Sequence, residues 1–178
     1  MGYELFIIVP IAMLIIGPLI YIKNSKARKA ELSQCNEYIR QNNITVAAEY
    51  TYTTLLNSRS IRFIVDERNH NLYISVRNGN FDKISFSEVL GAEICADNQV
   101  VDAIGCALVG GIIAGATTNA VCSYKVLIYT KRISSPQKVI NILDTKTQKD
   151  EIDYINAVNF AENVISTIIA IVHQQAAQ

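Results

Sequence analysis

Residues 60–76 read SIRFIVDERNHNLYISV. Ile61, Phe63 and Val65 recur with period two, the spacing that puts side chains on one face of a strand. ERNHN then breaks the pattern, and its Asn69 and Asn71 suit tight backbone geometry. LYISV (Leu72 to Val76) answers as the return strand, so the stretch predicts an antiparallel hairpin. RNGN makes a further turn. FDKISFSEVLGAEICAD (Phe81 to Asp97) predicts one or two strands with a break near Leu90-Gly91. SYKVLIYTKR (Ser123 to Arg132) places Tyr124, Val126, Ile128 and Thr130 on one side and Lys125, Leu127, Tyr129 and Lys131 on a wetter one. KVINIL is a last short strand, and DTKTQKDE a polar loop. Upstream, ITVAAEYTYTTLLNS stays open between helix and strand.

The chain closes on a helix predicted from Glu151 to about Gln174, where Ile155, Val158, Ala161, Ile165, Ile168 and Val172 form an apolar stripe at threes and fours. Asp150, Glu151 and Asp153 put negative charge at its positive end. Val164, Ile169 and Ile171 widen the stripe beyond what a solvated helix needs, which predicts packing across a sheet.

At the other end, LFIIVPIAMLIIGPLIYI (Leu5 to Ile22) is uncharged over eighteen residues. At a helical rise this is roughly 27 Å, close to the thickness of a hydrocarbon core. Glu4 precedes it and no small-x-small site closes it, which disfavours a signal peptide. Residues 1–22 are therefore expected to form a transmembrane anchor. Lys23, Lys26, Arg28 and Lys29 flank it, which predicts an outward N-terminus, a cytoplasmic main domain at the inner membrane, and contact of these four cations with anionic headgroups. Residues 23–42 are rich in helix formers without Gly or Pro and predict a basic helical stalk that stops at Asn42-Asn43. The remaining 43–178 suit one domain.

Inside that domain, residues 103–121 (AIGCALVGGIIAGATTNAV) form an uncharged glycine-rich insertion. Gly111-x-x-x-Gly115 has the spacing that lets a second helix approach closely, with Gly110 beside it as a further packing residue. A second span, a re-entrant hairpin and a plain connection packed on the protein are all compatible with it. A single full crossing would separate FDKISFSEVL from SYKVLIYTKR, and strands on opposite sides of a bilayer share no sheet.

Composition excludes some functions. Sixteen basic and sixteen acidic residues balance, so no nucleic-acid partner is indicated. Cys35, Cys95, Cys106 and Cys122 lack zinc-like spacing and are expected to be buried thiols, and no metal or cofactor is expected. His70 falls in the hairpin turn and His173 near the end of the last helix, which leaves no nucleophile–base arrangement to argue for catalysis.

Five segments in this order, IRFIVDERNHNLYIS, FDKISFSEVLGAEICADN, IGCALVGGIIAG, KVLIYTKRISSP and YINAVNFAENVISTIIAI, resemble a family of small bacterial proteins of uncharacterised function with a pleckstrin-homology-like domain. The likeness runs from about Ser60 to Val172 and includes an F-x-x-I-x-F-S-x-V strand beginning at Phe81. It implies an α+β fold, with an antiparallel sheet or partial barrel closed by the C-terminal helix, here behind an N-terminal transmembrane helix. It does not imply phosphoinositide binding. The chain departs from the family in its N-terminal span and in a shorter glycine insertion. Together these readings predict a membrane-anchored, non-enzymatic interaction or scaffold module. Its expected partners are the lipid bilayer and an unidentified protein, with a homo-oligomer as a further option. The alternative is a membrane assembly component packed through Gly111-x-x-x-Gly115, and a hydrolase ranks below both.

Overall fold

The computed structural model describes residues 25–27, 29–54, 60–75, 80–97, 99–104 and 119–177. The expected anchor, Lys23, Arg28, Cys106, Gly110, Gly111 and Gly115 lie outside them.

Residues 29–41 are helical (α1). A four-strand antiparallel meander follows, in the order β1 (Ala48–Thr53), β2 (Ser60–Asp66), β3 (Asn71–Ser75) and β4 (Phe81–Ser85). The predicted hairpin is β2–β3, closed by Asp66 opposite Asn71, with His70 at φ 52° in its turn. A short 3-10 turn, Phe86–Glu88, leads into a second four-stranded antiparallel sheet. It is built from β5 (Val89–Ala96), β6 (Gln99–Ile104), β8 (Tyr124–Thr130) and β9 (Gln137–Leu143), in the order β6-β5-β8-β9. A two-residue β7 (Ala120–Val121) pairs with β10 (Thr147–Gln148), and α2 (Ile152–Ala176) ends the chain. The molecule is thus α+β with antiparallel sheets and a C-terminal apolar helix, and neither sheet closes on itself.

Both sheets turn one face to a shared core. Ile61, Phe63, Val65, Leu72, Ile74 and Ile84 come from the first, and Ala92, Ile94, Val126, Ile128 and Ile140 from the second. Between them α2 buries Ala157, Phe160, Ala161, Val164, Ile165, Ile168 and Ile171. Each large apolar side chain removed from water in this way contributes about 1.5–3 kcal/mol before conformational entropy is counted. By length and composition α2 is the one helix among the described residues apolar enough to cross a membrane. Its buried face is committed to the sheets.

Several expectations need correction. The α2 stripe differs from the predicted one at its margins: Ile155 is exposed, Val158, Ile169 and Val172 are half-buried, and Ala157 and Phe160 join Ala161, Val164, Ile165, Ile168 and Ile171 on the buried face. The chain break after β4 falls at Phe86–Glu88, where Glu88 Oε2 accepts from the Ser85 amide at 3.0 Å, ahead of the expected Leu90-Gly91. Only a register shift between Val89 and Gly91 marks that later position. Cys35 and Cys95 are buried as expected, but Cys122 is exposed. The open stretch upstream is strand β1, because Tyr50 and Tyr52 reach the core while Glu49, Thr51 and Thr53 alternate outward.

The first sheet is also covered on its second face, which its alternation did not announce. Ile64 and Tyr73 lie there with Ile44, beneath Tyr38 and Ile39 of α1. Within the expected stalk, residues 25–27 and 29–41 are helical, yet the last turns of α1 lie docked on the domain. The helix stops where expected, and the geometry gives the reason. Asn43 is left-handed at φ 49°, its amide donates to Arg40 O at 3.3 Å, and Ile44 N donates to Ile39 O at 3.1 Å. This is a Schellman close, completed by apolar contact of Ile44 with the docked turn.

Pairing of β5 with β8, from Val89 opposite Thr130 to Ala96 opposite Tyr124, joins the strands on either side of the glycine-rich insertion. A single crossing by residues 103–121 is incompatible with this ladder. Residues 103 and 104 already belong to β6, and Ala120 and Val121 to β7.

Candidate functional site

The two edges of the first sheet are treated differently. On the β4 side, Lys138 Nζ lies 3.0 Å from Asp82 Oδ2, and Arg132 Nη2 donates to Lys83 O at 3.0 Å. Arg132 also grips Glu88, with Nε 3.0 Å from Oε1 and Nη2 2.7 Å from Oε2. Two hydrogen bonds to a planar guanidinium hold the Glu88 carboxyl below its usual range. Lys138 of β9 and Arg132 of the β8–β9 loop thus put charged side chains along this edge, as edge strands require.

The β1 edge carries no such cover among the described residues. An antiparallel ladder uses the backbone groups of alternate residues. The Arg62 amide donates to Ser75 Oγ at 2.7 Å, so it faces β3, and Ile61, Phe63 and Val65 face β1. Their register partners are Tyr52, Tyr50 and Ala48. At the strand's start Ala47 N also donates to Val65 O at 2.9 Å, which agrees with that parity. Glu49, Thr51 and Thr53 therefore direct their N–H and C=O groups to the open side. Three residues of unpaired strand are a template for another strand.

The far wall of this edge is α2. The Thr167 and Tyr50 hydroxyls lie 3.2 Å apart and Phe160 meets Tyr52 at a ring-centroid distance of 6.0 Å, so the helix runs antiparallel to β1. Asn156, Asn159 and Asn163, spaced three and four apart, form an exposed amide row beside the strand. Strand and row enclose a groove of about 460 Å³, with Phe160 also lining it. Thr54 Oγ1 and Asp153 Oδ1 are buried without a hydrogen-bond partner among the described residues. Each amide offers a donor and an acceptor, so the row can meet the outer edge of a strand laid against β1.

Glu49 ties the groove to α1. Its Oε1 accepts from Arg62 Nε at 2.6 Å, and Arg62 Nη1 donates to Asn36 Oδ1 at 3.2 Å. Arg62 is 6% exposed, a buried charge whose partners come from both β1 and α1. Cys35 sits in the same knot. Burial pushes its thiol up, and hydrogen bonding with Arg62 opposes that rise.

The residues singled out from sequence fall elsewhere. Lys26 and Lys29 are exposed on the helical segment before the dock. His70 and His173 are exposed on different elements. Among the described residues no group of three or more His, Cys, Asp and Glu side chains is placed to hold a metal ion. The groove was missed because its residues look ordinary in sequence: Glu49, Thr51 and Thr53 alternate as any half-wet strand does, and the asparagines read as the solvated face of a helix. Comparison of the chain with protein-family models, curated proteins and solved structures found no match in any of the three.

Proposed function

We propose that this protein is a membrane-anchored, non-enzymatic interaction module that captures an extended segment of another protein by adding it as a strand to β1. The observation that carries this reading is the unpaired β1 edge facing the Asn156–Asn159–Asn163 row across an open groove. Main-chain hydrogen bonds would supply affinity, and the amide row favours a polar over an apolar segment. The anchor belongs to the proposal through the apolar run Leu5 to Ile22 and its basic flank, of which Lys26 and Lys29 are exposed. A pleckstrin-homology-like domain remains our reading of the fold. The four-strand meander, the second antiparallel sheet and the closing helix support it, while the order β6-β5-β8-β9 is not a simple meander.

The test is selection of a displayed library of unstructured peptides on the full chain in neutral detergent. Thr51→Pro is the diagnostic variant, since the Thr51 N–H faces the open edge and its loss leaves the β1–β2 ladder intact. Selected peptides should bind Thr51→Pro at least ten-fold more weakly than the native protein. Absence of binders, or binders indifferent to Thr51→Pro, would overturn the reading.

A further inference from the structure

A second cleft, of about 670 Å³, opens on the other face of the first sheet, where the β2–β3 turn meets the end of α1. Its lining includes two cations, Arg68 and Lys83, and no acid. Both cations are exposed, and neither is in an ion pair among the described residues. Buried Asp66 accepts from Asn69 N at 3.1 Å and Asn69 Nδ2 at 2.7 Å, so its carboxylate is occupied. The last α1 carbonyls nearby are occupied as well, since Asn42 N and Nδ2 both donate to Tyr38 O, at 3.0 and 2.9 Å.

Those same bonds decide what the amides can offer. One Nδ2 hydrogen of each amide is engaged, that of Asn42 by Tyr38 O, that of Asn69 by Asp66, and that of Asn71 by Asn69 O at 2.7 Å. Each side chain keeps its carbonyl oxygen as an acceptor, together with its second N–H. Asn71 is 7% exposed and Tyr73 4%, so both line the cleft as fixed, nearly buried walls. The site thus combines two cations with three acceptors. A bare inorganic anion would leave the three carbonyl acceptors unused. A neutral polyol would satisfy only the acceptors.

We infer that this cleft binds a hydroxylated phosphate ester, its phosphate between Arg68 and Lys83 and its hydroxyls donating to Asn42, Asn69 and Asn71. The chemistry is shared by soluble sugar phosphates and by the phosphatidylglycerol headgroup. Geometry favours the soluble source: Lys29 and the cleft sit at opposite ends of α1, whose thirteen residues span roughly 20 Å. The inference is independent of the β1 groove.

Equilibrium dialysis of labelled glucose 6-phosphate against the full chain, in phosphatidylcholine nanodiscs, tests it. Saturable one-to-one binding is expected, weakened at least ten-fold by Arg68→Ser and by Lys83→Ser. Methyl phosphate, which has no hydroxyls, should bind at least ten-fold more weakly than the sugar phosphate. No saturable binding, indifference to both substitutions, or equal affinity for methyl phosphate would each overturn the inference. Repeating the titration in discs containing phosphatidylglycerol, with charge-matched phosphatidylserine discs as control, separates the sources. Unchanged affinity in both supports a soluble ligand, and a ten-fold loss confined to phosphatidylglycerol supports the headgroup.

Discussion

Arg62 Nε lies 2.6 Å from Glu49 Oε1, which ties β2 to the edge strand β1, and Arg62 Nη1 carries the link on to Asn36 of α1. The guanidinium side chain is 7% exposed and the carboxylate 30%. Losing a hydrogen bond to a charged group costs about 1.5–3 kcal/mol, and the exposure of Glu49 puts this one near the low end. Glu49→Gln should lower stability by that amount and speed alkylation of Cys35, which the same knot buries. Arg62→Met combined with Glu49→Gln should recover part of the loss, since no buried charge is then left unpaired. Thermal unfolding of the two variants, with Cys35 labelling rates, checks both points.

The Glu88–Arg132 contact makes a prediction about pH. Hydrogen bonding to Arg132 holds the folded-state carboxyl below its ordinary 4.5. A carboxyl depressed on folding adds stability that is complete above the unfolded value and disappears as pH falls through the folded one. Arg132→Gln should therefore lower the melting temperature at neutral pH. The gap from the native protein should close progressively below about pH 4.5. A gap of constant size across that range would place the role of Arg132 outside its charge.

Within the core, Phe160 and Ile168 are the two α2 side chains whose truncation best separates packing from propensity. Phe160→Ala should cost about 3–5 kcal/mol and Ile168→Ala about 2–5, through lost transfer energy and the cavity left behind. Ile168→Asp should abolish folding, because it buries an unpaired charge. Exposed Ile155→Asp should be nearly silent, which urea titration in neutral detergent would register.

Thiol reactivity should follow burial. In a Cys106→Ala background, Cys122 should alkylate first, and Cys35 and Cys95 slowly, since the first is exposed and the others buried. Burial raises both slow thiols, and at Cys95 the neighbouring Glu93 carboxylate raises it further. Their labelling should consequently accelerate at higher pH than that of an ordinary thiol. Peptide-resolved mass spectrometry gives the three rates.

Much of this fold is readable in the residues. The β2–β3 hairpin, β8 and the final helix are carried by strong local periodicity, and pairing does not override it. The rest depends on what lies opposite. Residues 60–66 alternate, yet both faces are buried, because α1 supplies a cover from some twenty-five positions upstream. The α2 stripe shifts at its start because Ala157 and Phe160, not Ile155, meet the sheets. The candidate groove was hardest to foresee. An open strand edge is a property of topology, and nothing in AEYTYT states which of its backbone groups finds a partner.

The central claim rests on that edge, and residue-resolved amide hydrogen exchange of the full chain, measured without any ligand, tests it directly. Tyr50 and Tyr52 should exchange slowly, with amides locked against Phe63 and Ile61, while Glu49, Thr51 and Thr53 exchange at least a hundred-fold faster. Equal protection along all five residues would mean that the edge is already covered, and would contradict capture by strand addition.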